Sequence, residues 1–126
     1  MKPIVLYSRL NEEITLISHT AFGPNPWKVA IVLEELKLPY KTHILKSDEL
    51  KLPEYERISP NGKVPAIEDP NTGVSLWESC AIIEYLVDTY DEASTISYST
   101  LPGKYHIKQF LYFQASGQGP YFGQAF

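Results

Sequence analysis

The chain predicts an α/β fold, a mixed sheet with helices packed on it, followed by the start of an all-helical unit. Three observations carry that prediction. Two alternating runs, Ile14-Thr15-Leu16-Ile17-Ser18 and Tyr40-Lys41-Thr42-His43-Ile44-Leu45, read as strands with a helical segment between them. A turn string, Asp69-Pro70-Asn71-Thr72-Gly73, joins two short apolar runs as a hairpin does. From Lys104 onward, Tyr105, Ile107, Phe110, Leu111 and Phe113 fall at helical spacing.

Taken in order, residues 1–12 read as an N-terminal extension with one strand-like run, Ile4 to Tyr7. The domain opens at residue 13 with the strand Ile14 to Ser18, then a loop rich in glycine and proline, Phe22-Gly23-Pro24-Asn25-Pro26. Trp27 to Leu38 follows as a helix, with Asn25 as N-cap and Pro26 suited to the first turn. Val29, Val32, Leu33 and Leu36 share one face, and Pro39 stops the helix. The strand Tyr40 to Leu45 should run parallel to the first through a right-handed crossover.

Lys46 to Pro60 is polar, with one or two loose turns. Pro65 to Glu68 and Val74 to Trp77 form the antiparallel hairpin, and Glu78 to Tyr90 is a helix with Ile82, Ile83, Leu86, Val87 and Tyr90 inward. That order is the thioredoxin-like plan, spanning 13–92. Residues 93–103 are a linker closed by Pro102-Gly103, and 104–126 begin a helical domain that is incomplete. Tyr112, Phe113, Tyr121 and Phe122 find no cover within one helix, so association through this segment or poor solubility is expected.

At 126 residues, 44% apolar and 21% charged, the composition is that of an ordinary globular domain with a proper core. A net charge of -4 argues against a nucleic-acid surface. No apolar run approaches the roughly 20 residues needed to span a membrane. Cys80 is the only cysteine, which rules out an internal disulfide and fits a reducing, cytoplasmic setting. His19, His43 and His106 are scattered without metal-ligand spacing, so no metal is expected.

The most informative stretch is Asn61-Gly62-Lys63-Val64-Pro65-Ala66-Ile67 followed by Trp77-Glu78-Ser79-Cys80-Ala81-Ile82-Ile83. The first puts a proline between a turn and a short strand. The second puts an acid and a hydroxyl at a helix start, where anions bind. Together they describe a cup for a short extended peptide with a free carboxylate and a free ammonium.

These strings resemble the glutathione S-transferase family, over 13–92 almost completely and on into the first helix of the second domain. Pro24-Asn25-Pro26-Trp27-Lys28-Val29-Ala30 and Phe113-Gln114-Ala115-Ser116-Gly117-Gln118-Gly119-Pro120 are similar to the fungal branch akin to the yeast nitrogen-catabolite regulator, and to the bacterial Nu class. The resemblance implies a cis Val64-Pro65 bond, with the Val64 backbone pairing with the cysteinyl unit of glutathione. Local chemistry alone allows Pro65 simply to begin a strand. It implies that Glu78 accepts hydrogen bonds from the γ-glutamyl ammonium and that Ser79 holds its carboxylate. Read alone, the pair is a Ser cap beside an acid.

Asn25 is the implied donor to sulfur, with a pure N-cap as the other reading and Ser18, His19 and Thr20 as weaker candidates. Lys51 is the candidate partner of the glycyl carboxylate; Leu50 cannot serve, and Lys63 is a further candidate. Cys80, with Ala81 and Ile82 beside it, reads as an inert core cysteine. The implied activity is conjugation of glutathione, the co-substrate, to a small electrophile, in detoxification or specialised-metabolite biosynthesis. Glutathione-dependent disulfide reduction is a variant, and a homodimer is implied. The alternative is a non-catalytic regulatory or truncated protein of the same fold.

Overall fold

The computed structural model describes residues 1–9 and 24–125. In chain order the elements are β1 (Ile4–Arg9), α1 (Pro24–Glu35), β2 (Tyr40–Leu45), a 3-10 turn (Glu49–Lys51), α2 (Pro53–Glu56), β3 (Ala66–Asp69) and β4 (Val74–Trp77). Then come α3 (Ser79–Tyr90), α4 (Leu101–Phe113), a π-helical turn (Gln114–Gln118) and α5 (Gly119–Gln124). The strands form one sheet in the order β2-β1-β3-β4. β1 runs parallel to β2 and antiparallel to β3, and β3 and β4 make the hairpin. This is the expected mixed sheet with helices, followed by a helical segment.

One expectation is corrected. Ile4 to Arg9 is not part of an extension ahead of the fold; it is an inner strand, paired on both sides. Its alternation places Ile4 and Leu6 in the core, essentially without exposure. The polar Ser8 and Arg9 hid its full length. The expected strand Ile14 to Ser18 lies outside the described residues.

The ends of α1 also differ from expectation. The described helix already includes Pro24, so Asn25 lies within it rather than capping it. Two prolines are tolerated there because first-turn N–H groups have no intrahelical acceptor. The helix ends at Glu35, well before Pro39. Lys37 takes a left-handed conformation (φ 53°), its N–H donates to Glu34 O, and the Leu38 N–H donates to Leu33 O at 2.9 Å. That is a Schellman closure, with lysine in the place usually given to glycine.

The sheet separates two cores. On one face Ile4, Leu6, Ile67, Val29, Leu33, Ile82 and Leu86 join the sheet to α1 and α3. On the other, Leu45, Leu50, Tyr55 and Ala66 pack with Tyr7 and Ile58. Tyr7 donates to Glu68 Oε2 at 2.5 Å, and burial, with Glu68 adding to it, pushes the phenol up to about 12.

Asp69, 2% exposed, anchors α3 to the hairpin. Its carboxylate accepts hydrogen bonds from Tyr85 OH at 2.7 Å, from Tyr90 OH, and from Asn71 N at 2.8 Å and Nδ2 at 2.9 Å. Burial acts to raise the Asp69 pKa, but these donors outweigh it and hold it below the usual carboxylate value. Asn71 also exchanges two hydrogen bonds with the Lys2 backbone, tying down the start of β1.

The helical segment starts at Leu101, inside the expected linker 93–103 and ahead of the expected 104. Pro102 fits a helix first turn, and the Thr100 hydroxyl accepts from the Gly103 N–H at 3.3 Å. No residue of α4, the π-helical turn or α5 is buried.

Candidate functional site

The chain register brings the candidate residues to one end of the sheet. Ala66 pairs with Trp77, so Pro65 and Glu78 leave the hairpin side by side. Tyr7 pairs with both Ala66 and His43, so β1 and β2 finish at that same end. Crevices beyond the carboxyl ends of parallel strands are where α/β sheets place ligands.

The loop before β3 is built from below. Tyr55 OH and Ser59 Oγ both donate to the Lys63 carbonyl, at 2.7 and 2.9 Å, and both residues are buried. Gly62 has φ +60°, and a Cβ there would stand 2.6 Å from Lys51 Nζ and 2.7 Å from the Leu50 carbonyl oxygen. Glycine is therefore required on both counts. Lys51 Nζ donates to the Asn61 carbonyl at 3.0 Å, holding its ammonium over this turn. The Val64–Pro65 peptide is cis, as the resemblance implies.

These residues face a cavity of about 490 Å³ that holds Asn25, Lys51 and Val64 together. Arg9 and Lys63 share its lining, so among the described residues three cations and no carboxylate face it. Such a wall attracts an anionic ligand. Arg9 is not a sequence candidate, because the sequence places the run Ile4 to Tyr7 in an N-terminal extension. Leu50 is 7% exposed and contributes only an apolar wall. Pro65 is buried and Val64 half-buried.

Glu78 and Ser79 stand outside that lining, at the start of α3. Glu78 is the N-cap, at φ 73° and ψ 114°, a region rarely adopted by residues with a Cβ. Its side chain makes no capping hydrogen bond and is exposed. Ser79 is the first helical residue and not the cap, and it is 7% exposed. First-turn N–H groups and the helix dipole make this a place for a carboxylate.

A second cavity, of about 750 Å³, lies between the start of α1 and the π-helical turn. Asn25 lines it too, together with Gln114, Gln118, Pro120 and Phe122. Asn25 is thus shared between a cationic cavity and a largely neutral one. Lys28, one turn further along α1, donates from Nζ to Gln114 Oε1 at 2.5 Å. Burial lowers the Lys28 pKa, while Cys80 and Glu78 act in the opposite direction. Cys80 is buried, with Sγ 3.6 Å from the Leu111 carbonyl oxygen. Ser18, His19 and Thr20 lie outside the described residues. Among the described residues, no group of three or more His, Cys, Asp or Glu is placed to hold a metal, and no helix is long and apolar enough to cross a membrane.

Comparison with known proteins decides the family. The family model for the glutathione S-transferase N-terminal domain matches residues 22–89. This chain belongs to the glutathione S-transferase family. It is 57% identical over 104 residues to the glutathione S-transferase-like protein gedE of Aspergillus terreus, covering 82% of this chain and 46% of that one. It is 44% identical over 120 residues to the protein URE2 of Debaryomyces hansenii, covering 90% of this chain and 39% of that one. The resemblance to the fungal regulator branch is borne out by relatives of that name. Glutathione transferase URE2P6 of Phanerochaete chrysosporium, solved in complex with oxidised glutathione, matches with TM-score 0.80 and 46% identity. That match covers 98% of this chain and 53% of the solved one. The chain therefore spans about half the length of the relatives it matches.

Proposed function

We propose that the chain binds glutathione and activates its thiol for transfer to a small electrophile, or for exchange with a disulfide. The observation that carries this reading is the position of Asn25, in the first turn of α1 and shared by both cavities. In this reading Glu78 takes the γ-glutamyl ammonium and Ser79 its carboxylate. The Val64 backbone pairs with the cysteinyl unit, and Lys51, with Arg9 and Lys63 beside it, meets the glycyl carboxylate. Asn25 donates to the sulfur.

The energetic task is modest. A free thiol titrates near ~8.5, and lowering that by about two units takes roughly 2.7 kcal/mol of preferential interaction with the anion. One side-chain donor and a helix dipole are of the right size for it. The thiolate then attacks a substrate held in the second cavity. A cytoplasmic setting, a homodimer and a domain boundary within 93–103 belong to this reading.

Calorimetric titration of glutathione tests it, with Glu78→Ala and Asn25→Ala as controls. The expected outcome is micromolar to millimolar binding, lost with Glu78→Ala and retained with Asn25→Ala, which loses turnover instead. No binding by a folded sample would favour the second reading, a non-catalytic protein of this fold. That reading draws on one specific observation: the aromatic residues of α4 and α5 are exposed and open to a partner.

A further inference from the structure

The larger cavity holds a polar group that glutathione binding does not employ. Gln114 opens the π-helical turn and lines that cavity beside Asn25. Its Oε1 accepts from Lys28 Nζ, reaching across from α1. An ammonium has only donors, so the acceptor end of the amide must face Lys28 and its donor end must face away. That donor end lies over Gly119, where an added Cβ would stand 3.1 Å from the Gln114 amide nitrogen. Gly119 lines the same cavity. A side chain at 119 would crowd the amide nitrogen that glycine leaves clear. π-helical turns of this kind recur at functional sites.

We propose that Gln114 is a specificity-determining residue, its Nε2–H oriented by Lys28 to donate to second substrates that carry an acceptor oxygen, typified by α,β-unsaturated ketones. The proposal rests on the glutathione-transferase reading for its chemistry. The thiolate sulfur forms a bond to the β-carbon, and the alkene π pair shifts toward the carbonyl, leaving an enolate oxygen. Water then protonates the α-carbon. A donor held at that oxygen gains strength as the negative charge develops there. Lys28 acts through Gln114 and is a positioning residue.

The test needs no glutathione, so it reads separately from the titration that tests the parent reading. Benzylideneacetone and the hydrocarbon of the same carbon skeleton, 1-phenyl-1-butene, are titrated into the chain by calorimetry. The ketone should bind about 3- to 10-fold more tightly, the range one hydrogen bond supplies. Gln114→Leu and Lys28→Met should each abolish that preference, and Lys28→Arg should keep it. Circular dichroism confirms that each variant is folded, and Lys28→Met carries the test alone if Gln114→Leu is not. Equal affinities in the unmodified chain, no binding of either probe, or a preference that survives the variants would overturn the proposal.

Discussion

α3 and α4 are nearly matched in length, at 12 and 13 residues, and both carry apolar residues at helical spacing. α3 buries Ser79, Cys80, Ile82 and Leu86, while α4 buries nothing. The difference lies in what each has to pack on. α3 lies against a sheet and α1, and Asp69 grips it through Tyr85 and Tyr90. α4 meets α3 across a cavity that its half-buried Ile107 and Leu111 line together with Ile83 and Val87, and through a few polar contacts: Lys108 with Glu84 at 3.3 Å, Tyr112 with Glu84 at 3.2 Å, and Cys80 with the Leu111 carbonyl. Phe110 and Phe113 remain 67% and 61% exposed. An amphipathic pattern therefore announces a face in need of burial, and only tertiary context says whether the chain supplies the cover.

Truncating one apolar side chain in each helix is the sharpest way to break this comparison. Leu86→Ala leaves a cavity in the main core and should cost about 2–5 kcal/mol in urea unfolding. Phe113→Ser in α4 should leave the unfolding midpoint nearly unchanged. It should instead lower self-association, seen by gel filtration as a shift toward the monomer. Equal destabilisation by both changes would mean that α4 is packed after all. A gel-filtration profile already that of a well-behaved monomer would remove the expectation of association.

Next in size is the polar anchor that α3 has and α4 lacks. Asp69→Ala removes the acceptor for two phenols and an asparagine, and should cost about 3 kcal/mol. The pH dependence carries the same information. Because the folded-state pKa lies below the unfolded value of ~3.9, the anchor contributes fully above that value and is lost as pH falls through the folded pKa. Urea midpoints of the parent chain should therefore fall on acidification, and Asp69→Asn should flatten that limb. The alkaline side has the opposite sign. Tyr7 and Tyr55, both pushed up to about 12 chiefly by burial, favour the fold below their ordinary value of ~10, and that contribution is lost as pH rises toward the folded pKa.

How far these features could be read from the sequence follows from how local they are. The hairpin turn and the start of α3 fell within a residue of expectation, because Asp69-Pro70-Asn71-Thr72-Gly73 and Glu78-Ser79 are local signals. β1 is not legible as an inner strand because a second run near the N-terminus, Ile14 to Ser18, carries the alternation. Which run joins β2 and β3 is settled by pairing with residues some 35 to 60 positions away. The site divides in the same way. Asn25, Lys51 and Val64, each quoted within a local string, line one cavity. Arg9 goes unseen with its strand, and the Lys28–Gln114 bond joins residues 86 apart, so neither of the two strings that hold them shows it alone. Local chemistry is legible from one sequence, whereas long-range pairing needs the fold.

The smallest expected effect separates the helices by where it appears. Thr100 caps α4 by accepting from the Gly103 N–H, and Thr100→Ala should weaken that helix by about 1 kcal/mol. Were α4 part of the cooperative core, that loss would appear in the global unfolding midpoint. With no buried residue in α4, it should appear instead as fraying. Hydrogen exchange should accelerate for amides of residues 101–113 while those of α3 keep their protection. Faster exchange in both helices would show that α4 and α3 unfold as one unit.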